Sequence, residues 1–342
     1  MGSHQSLALV TGASGYIGRY LVEALVASGW RVRATGRRPV LDLPLPAPAT
    51  YMAADLVADD LSPLVDNVTT VFHLAGASSS KSSVAEMQRI NVEGTDRLVA
   101  AAAACVETFV HMSSTSVYGE ESPLVLPVTE DAAGYPSRSY GKAKWGAEEK
   151  VWQAAGQGLG VVVLRPVTVF GPGAVKLLAS AALDVAIERQ LGRTEVVAPH
   201  PIIEQRLVHI HDLVAACLHL CVPARSSALG RAFNVAGLYP TSEEVTTALA
   251  EAYGMDCSPG EALAEEPALA ERQRAYGELR SGGVTEDILF TPERFRFLRK
   301  ANLNNRLSSA ALDSTGFSFA HANLVSSVAD TVAWYRHRHW LP

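Results

Sequence analysis

Three glycines stand at intervals of three residues near the start of the chain, between an apolar run and a helix-like sequence. They are Gly12, Gly15 and Gly18, and the run before them is Leu7–Val10. Glycine lets the backbone turn tightly and approach a pyrophosphate, and a helix that starts there directs its N-terminus at the phosphate charge. The segment therefore predicts a strand, a phosphate-binding turn and a helix, which together open a dinucleotide-binding fold.

Short runs rich in β-branched residues alternate with longer helical patterns through the first two-thirds of the chain, which is typical of parallel βαβ units. The predicted strands are Leu7–Val10, Arg31–Thr35, Thr50–Ala53, Thr70–Leu74, Thr108–Met112 and Val161–Leu164. The predicted helices between them are Ile17–Ser28, Val84–Cys105 and Tyr140–Ala155. We predict an α/β fold with a doubly wound parallel sheet of the Rossmann type and a smaller C-terminal substrate-binding lobe.

The alternation becomes irregular after Pro172. The predicted elements there are a helix at Val175–Gln190, a strand at Arg206–Ile210, a helix at Asp212–Cys221, a strand at Ala232–Val235, helices from Ser242 and a terminal helix at Asn323–Trp334. The charged stretch Glu261–Lys300 is expected to be partly mobile. We predict a Rossmann domain over residues 6–172, with returning elements at about 206–236, and a lobe made of residues 173–205 and 237–342.

The net charge of −6 argues against nucleic acid or an anionic membrane as the main partner. No apolar run approaches the roughly 20 residues that cross a bilayer, so we expect a cytoplasmic location. Met1–His4 is interpreted as the remnant of an expression tag. The cysteines lack paired spacing and are expected to be small, reduced and buried; they are Cys105, Cys217, Cys221 and Cys257.

The second predicted strand ends at Gly36, followed by Arg37 and Arg38. An NAD enzyme would usually carry a carboxylate there to bind the ribose 2′-hydroxyl. A glycine removes the repulsion that an acid would exert on a 2′-phosphate, and two guanidiniums can bind that phosphate through charge-assisted hydrogen bonds. The sequence therefore favours NADP over NAD. Asp55, followed by Leu56 after the third strand, is placed to bind the adenine amino group.

Tyr140 and Lys144 are four residues apart and so share one face of a helix. A tyrosine with a pKa of about 10 is a slow acid at neutral pH, and a neighbouring cation favours its phenolate. Ser114 follows the fifth strand, where open α/β sheets bind ligands, and is the preferred hydroxyl to orient a substrate carbonyl. Thr115 is its rival. Hydride from a nicotinamide and a proton from Tyr140 would then meet on one carbonyl group.

Several further segments occur in a fixed order with these: Asp55-Leu56, His73–Gly76, Asn91–Thr95, Ser113–Gly119, Thr129–Asp131, Tyr140–Lys144 and Arg165–Pro172. In this order the chain resembles the extended short-chain dehydrogenase/reductase family. The resemblance implies that Ser114, Tyr140 and Lys144 are the catalytic residues. It implies cofactor contacts from Gly12, Ser14, Gly15, Tyr16, Ile17, Gly18, Arg37, Arg38, Asp55, Leu56, Leu74, Ala75, Gly76, Asn91, Tyr140, Lys144, Pro166 and Val167. Substrate contacts are expected from Ser78, Thr115, Thr168 and Arg206.

The substrate class is less constrained. Arg206 matches the position at which sugar-nucleotide members of the family place an arginine on the substrate diphosphate, but it could equally close a salt bridge between the lobes. Thr168 stands where those members often carry Asn, and Val196–Pro201 replaces their glycine-rich turn. Thr115 and Ser116 replace the Asp-Glu pair of the sugar 4,6-dehydratases.

These signals, with the NADP preference, favour reduction of a ketone or aldehyde. The alternative is an epimerase or isomerase that works through a transient keto intermediate. A scaffold protein that kept the fold and lost the chemistry is the third hypothesis, disfavoured because Ser114, Tyr140 and Lys144 are all present.

His209 and His211 alternate on a predicted strand, next to Asp212 and one helix before His219, which could suggest metal ligands. We expect no metal, because the proposed chemistry needs none and the segment matches a common strand-to-helix junction of the family. The family resemblance also implies a homodimer through the helices Val84–Cys105 and Tyr140–Ala155. The apolar face formed by Leu98, Val99, Ala102 and Ala103 is expected to serve it.

Overall fold

The computed structural model describes residues 6–39, 44–78, 82–119, 126–132, 134, 136–175, 177–199, 202–260, 267–283 and 306–342. Some of the sequence predictions concern residues outside these ranges. They are the N-terminal tag remnant, His200 and Pro201 of the turn that replaces the glycine-rich one, and most of the charged stretch 261–300.

Seven parallel strands form one sheet in the order β10-β6-β5-β4-β1-β2-β3. The strands of the chain are β1 Leu7–Thr11, β2 Arg31–Gly36, β3 Thr50–Ala53, β4 Thr70–His73, β5 Thr108–Met112, β6 Val161–Pro166, β7 Thr168–Phe170, β8 Glu195–Val197, β9 Leu207–His209, β10 Arg231–Val235 and β11 Asp256–Ser258. The order reverses between β1 and β4, as in a doubly wound Rossmann fold. The predicted fold class is confirmed, and the six predicted strands of the sheet's first part all lie within two residues of the observed bounds.

Helices follow most of the strands. They are α1 Tyr16–Ala27, α2 Ser62–Val65, α3 Val84–Gln88, α4 Gly94–Ala102, α5 Ser139–Ala155, α6 Leu178–Gln190, α7 Ile210–Cys221, α8 Arg225–Ala228, α9 Ser242–Tyr253, α10 Pro267–Ser281, α11 Ala310–Asp313 and α12 Leu324–His337. A 3₁₀ turn spans Thr115–Tyr118. Side chains cap the beginnings of three helices. The Ser83 side chain accepts a hydrogen bond from the amide of Glu86 at α3, Thr241 and Glu244 form a capping box at α9, and the Asn323 side chain accepts a hydrogen bond from the amide of Ser326 at α12.

The predicted helix Val84–Cys105 is interrupted. A π-helical turn at Arg89–Glu93 separates α3 from α4. Such turns often occur at functional sites, because the extra residue changes the direction of one side chain. Here the side chain concerned belongs to Asn91. Helix α6 also begins later than predicted, at Leu178, because Leu177 before it has a φ of 39°, outside the helical region.

The chain divides into two compact units. The first contains Met1–Val167, Leu213–Val235 and Arg306–Ser318, and the second contains Thr168–Asp212, Ala236–Asn305 and Phe319–Pro342. The first unit packs its sheet against apolar faces of α4 and α5, with Phe109, Val151 and Val163 fully buried. The second unit has its own core, in which α6, α9 and α12 pack around Leu183, Leu249 and Tyr335.

That packing corrects the expected dimer surface. Leu98, Val99 and Ala102 lie inside the core of the first unit, and only Ala103 of the four residues is exposed. The apolar stripe of α4 faces the sheet, because a helix beside a parallel sheet buries its apolar side there. The expectation of buried cysteines is also wrong for Cys105, which is exposed. Cys217 and Cys221 are buried, and burial raises the pKa of the Cys217 thiol to about 12.

Candidate active site

The turn after β1 packs closely against the end of β4. Gly12 has a φ of 69°, and a Cβ there would lie 2.8 Å from the backbone nitrogen of Ala75. The Thr11 hydroxyl accepts hydrogen bonds from the backbone nitrogens of Leu74 and Ala75. Gly15 is the N-cap of α1 and has no side chain to cap the first turn, so the first amides of this helix are suited to bind an anion. At position 12, glycine is therefore required both by the lack of space for a side chain and by the positive φ.

The π-helical turn, β4 and α5 meet at Gly76. The Asn91 side chain accepts a hydrogen bond from the backbone nitrogen of Ala77 at 2.6 Å and donates one to its carbonyl oxygen at 3.1 Å. A Cβ at Gly76 would lie 3.2 Å from Asn91 Oδ1 and 3.4 Å from Lys144 Nζ. The structure thus brings together Gly76, Asn91 and Lys144, which the sequence analysis expected to contact the cofactor.

Ser114 and Tyr140 are hydrogen-bonded to each other. Ser114 also caps the following 3₁₀ turn, because its Oγ accepts a hydrogen bond from the backbone nitrogen of Ser116 at 3.2 Å. Its rival, Thr115, directs its hydroxyl to the carbonyl oxygen of Pro166, 3.4 Å away. Of the two candidate hydroxyls, the one that contacts the Tyr140 side chain is therefore that of Ser114.

Lys144 is buried, and its ammonium donates a hydrogen bond to the carbonyl oxygen of Met112 at 2.8 Å. Desolvation lowers the pKa of Lys144 to about 8, against the opposing effect of Glu148. Burial raises the pKa of Tyr140, and only the hydrogen bond from Ser114 acts in the other direction. The pKa of Tyr140 is thus raised, where the sequence led us to expect that Lys144 would lower it; the ammonium of Lys144 instead donates to the Met112 carbonyl.

A buried polar network, which the sequence analysis did not identify, lies behind these residues. Glu148 is one helical turn beyond Lys144 and accepts two hydrogen bonds from Arg165, at 2.6 and 3.0 Å, and one from Ser113. Arg165 also donates to the Tyr118 hydroxyl at 2.8 Å, which in turn donates to the Asn234 side chain at 2.8 Å. The network connects α5 to the ends of β5, β6 and β10. The spacing of Glu148 from Lys144, four residues along one helix, was the available signal.

Gly36, Arg37 and Arg38 follow one another at the end of β2, and both guanidinium residues are exposed. Tyr51 of β3 holds this segment: its hydroxyl lies 3.0 Å from the carbonyl oxygen of Gly36 and 2.7 Å from that of Arg38. A Cβ at residue 36 would lie 3.2 Å from the Tyr51 hydroxyl and 3.4 Å from Ser14 Oγ. Sequence reasoning missed Tyr51, since contact between adjacent strands is needed to identify it.

The remaining predicted cofactor and substrate residues are distributed over both units. Asp55 caps its own turn, with Oδ1 accepting a hydrogen bond from the backbone nitrogen of Val57 at 2.8 Å. Val167 donates from its backbone nitrogen to the carbonyl oxygen of Val235 and is buried. Ser78 follows β4 in the first unit. Thr168 and Arg206 belong to the second unit, where Thr168 pairs with Leu207 in the β7–β9 ladder.

Comparison with known proteins gives consistent matches. The model of the NAD dependent epimerase/dehydratase family matches residues 8–236. A 4-hydroxy-2-methyl-3-oxo-4-farnesyl-3,4-dihydroquinoline-1-oxide ketoreductase of Stigmatella aurantiaca is 36% identical over 172 residues, which are 47% of this chain and half of that protein. The UDP-glucose 4-epimerase of Mycolicibacterium smegmatis is 31% identical over 290 residues, which are 78% of this chain and 88% of that one.

The same fold occurs in a crystal structure of UDP-glucose 4-epimerase with UDP-glucose from Thermotoga maritima. It superposes with a TM-score of 0.73 at 20% identity, over 97% of this chain and 99% of the other. Among the described residues, the helices are all too short or too polar to cross a membrane.

Proposed function

Because this chain belongs to the extended short-chain dehydrogenase/reductase family, with its NAD-dependent epimerase/dehydratase fold, we propose that it is an NADP-dependent reductase of a ketone or aldehyde. The observation that carries the proposal is the hydrogen bond between Ser114 and Tyr140 at the carboxyl end of β5. In this proposal the first unit binds the cofactor, and residues of the second unit, among them Thr168 and Arg206, contribute to substrate binding.

NADPH supplies a hydride when bound. Three side chains of the protein would act on the substrate carbonyl group that receives this hydride. Ser114 donates a hydrogen bond to the carbonyl oxygen and stabilises the negative charge that develops there. Tyr140 transfers its phenolic proton to that oxygen, which gives the alcohol. The positive charge of Lys144, four residues along α5, would favour the phenolate that remains. Its ammonium, which donates to the Met112 carbonyl in this structure, would also help to hold the ribose of the cofactor.

Selection of NADP rests on the end of β2. Gly36 places no carboxylate near the 2′-position, and the exposed Arg37 and Arg38 can pair with a phosphate there. The Tyr51 hydroxyl, whose single proton is shared between the carbonyl oxygens of Gly36 and Arg38, restrains the segment and so reduces the entropy lost on binding. These features support NADP over the NAD in the family's description.

The second candidate is an epimerase that oxidises and then reduces the same carbon with retained cofactor. It is supported by the match to UDP-glucose 4-epimerase over 78% of the chain and by Arg206, whose guanidinium is suited to a diphosphate. The ketoreductase match supports the first candidate, but it spans only half of that relative.

Identification of retained nucleotide separates the two candidates. Freshly purified protein is denatured, and any released nucleotide is identified by mass spectrometry; the stripped protein is then titrated with NADPH and NADH. Empty protein that binds NADPH more tightly supports the reductase. Stoichiometric NADP retained through purification supports the epimerase, and a preference for NADH contradicts the role given to Gly36, Arg37 and Arg38.

A homodimer is also proposed, on family resemblance alone. Since the apolar face of α4 is buried within its own chain, the contact would need the outward residues of α3 and α5. Light scattering that gives the mass of a single chain at micromolar concentration would exclude it.

A further inference from the structure

Three histidines of the second unit converge, although one of them, His321, lies more than a hundred residues beyond the other two in the sequence. His209 ends β9, His211 lies in the first turn of α7, and His321 lies just before α12. One ring nitrogen from each lies within 4.8 Å of the others. The rings of His209 and His321 are stacked with centroids 4.0 Å apart, and His211 lies 5.1 Å from the first and 5.4 Å from the second.

His209 is 3% exposed, and neither of its ring nitrogens has a hydrogen-bond partner among the described residues. A buried imidazole without partners costs free energy that a ligand can recover, since buried polar groups are normally paired. Gly171 packs closely against the edge of this ring and leaves no room for a side chain there: a Cβ at that position would lie 2.9 Å from His209 Nε2. Its φ of 125° makes a side chain there unfavourable as well.

Asp212 orients the third histidine. Its carboxylate accepts hydrogen bonds at 3.0 Å from the backbone nitrogens of Ala320 and His321, and from His321 Nδ1. A carboxylate on Nδ1 fixes the proton at that nitrogen and leaves the lone pair of Nε2 for another partner. Metal-bound histidines are held by a carboxylate in this way, and the arrangement raises their basicity as ligands.

We propose that His209, His211 and His321 bind one divalent cation of borderline softness, with zinc as the best match. Three imidazoles without a thiolate are ligands typical of zinc sites, and they leave a fourth position for water. A tetrahedral ion with bonds of about 2.0–2.1 Å places its ligand atoms about 3.4 Å apart. The exposed His211 and the half-buried His321 can close the distance by side-chain rotation. The ion would connect the β9–α7 junction to the segment before α12.

From the sequence we expected no metal, because the proposed chemistry needs none and the segment matches a common strand-to-helix junction of the family. The histidines then in view beside His209 and His211 included His219 but not His321. In the structure His219 is hydrogen-bonded to Thr315 in the first unit. His321 could not be paired with His209 from the sequence, since the two are linked only through the fold.

The test uses the full chain, stripped with a chelator and then dialysed against zinc chloride alone. We expect one zinc ion per chain and a rise in melting temperature with zinc. His211→Ala is the main variant, because this exposed side chain can be removed without disturbing the fold, and it should weaken zinc binding at least about tenfold. His321→Ala should do the same.

The matched control is the double variant His337→Ala/His339→Ala, which removes the other pair of histidines two residues apart, at the exposed end of α12. It should bind zinc as the wild type does. Co²⁺ should give the strong visible absorption of a tetrahedral site in the wild type and the control, and lose it in His211→Ala. Equal zinc binding by His211→Ala and the wild type overturns the proposal, as does loss of zinc in the control or a wild-type Co²⁺ spectrum like that of the free ion. Because no nucleotide is present, these outcomes do not depend on the proposed reductase activity.

Discussion

The hydroxyl of Tyr51 lies 2.7 Å from the carbonyl oxygen of Arg38. The strand β3 therefore holds the segment at the end of β2 from the side, and the two exposed guanidiniums extend from a backbone that is already fixed. This arrangement gives the proposed choice of NADP a structural basis beyond the mere presence of two arginines.

Replacement of both Arg37 and Arg38 by Ala is expected to weaken NADPH binding at least about 10- to 100-fold, because the loss of even one hydrogen bond to a charged phosphate costs about 1.5–3 kcal/mol. NADH binding should change little. Fluorescence titration with both nucleotides measures the two dissociation constants. Arg31→Ala, at the exposed beginning of the same strand, is the control. Equal weakening for both nucleotides would show that the two arginines do not recognise the 2′-phosphate.

Tyr140→Phe should lower kcat by about 10²- to 10⁴-fold, since the variant has no phenolic proton to transfer. Cofactor affinity should stay nearly unchanged. Steady-state kinetics with a ketone substrate, or epimerisation of a nucleotide sugar, provides the readout, beside a nucleotide titration. Tyr276→Phe, a half-buried tyrosine of the second unit, controls for loss of a hydroxyl in general. Turnover of Tyr140→Phe at the wild-type rate would remove Tyr140 as the acid.

Ser114→Ala and Thr115→Val separate the two candidate hydroxyls. The first should lower kcat about 10²- to 10³-fold, the usual effect of losing one donor to a developing oxyanion. The second removes only a hydrogen bond to the Pro166 carbonyl at 3.4 Å and should leave kcat within a few-fold of the wild type. A reversed order of the two effects would assign the role to Thr115.

Glu148→Gln should destabilise the first unit by about 3–5 kcal/mol, because it leaves the buried Arg165 guanidinium without its countercharge. Urea denaturation followed by circular dichroism measures the change. Glu149→Gln, the exposed neighbour on α5, should have an effect below about 0.5 kcal/mol. Similar stability of the two variants would mean that the buried pair is not required for folding.

Lys144→Met should abolish activity yet stabilise the fold at neutral pH. Desolvation lowers the pKa of Lys144 from its ordinary 10.5 to about 8, so the folded protein binds this proton less tightly than the unfolded chain. The charged lysine thus costs on the order of 3 kcal/mol below pH 8. The cost disappears as the pH rises to 10.5.

The free energy of unfolding is measured for both proteins from pH 7 to 10.5. The advantage of the Met variant should be largest at pH 7 and decline through this range, and a constant difference would contradict the lowered pKa. For the active enzyme, kcat/KM should fall above about pH 8, where Lys144 loses its charge.

The sheet was predictable because its strands are apolar and bounded by clear turns, and because the glycines before α1 fix its first crossover. The π-helical turn was not, since Arg89–Glu93 has the composition of any helix and its geometry follows from the Asn91 side chain bound to Ala77. The burial of the apolar face of α4 against the chain's own sheet likewise needed the three-dimensional packing.

The same contrast between local sequence patterns and long-range packing applies to the site. Residues that lie within one strand-turn-helix unit, such as Ser114 or the pair Tyr140 and Lys144, could be proposed from the sequence. Residues whose partners come from another strand or from the far end of the chain were missed. Tyr51 contacts the neighbouring strand, and His321 reaches Asp212 across 109 positions. The pKa of Tyr140 also depends on burial, which spacing alone does not report.

Both units are assembled from segments that alternate along the chain. During synthesis, the first unit therefore emerges from the ribosome without β10 and residues 306–318, and the second without α12. The core of the second unit cannot close until nearly the whole chain has been translated, because it includes Val328, Val332 and Tyr335 of α12 and long-range contacts form only when both partners are available. The buried residues of the first unit's core lie between Leu9 and Val163 and are available much earlier. We infer that the apolar faces of α6 and α9 depend on protection until α12 has been translated, and that a truncation after α9 would leave the second unit without part of its core.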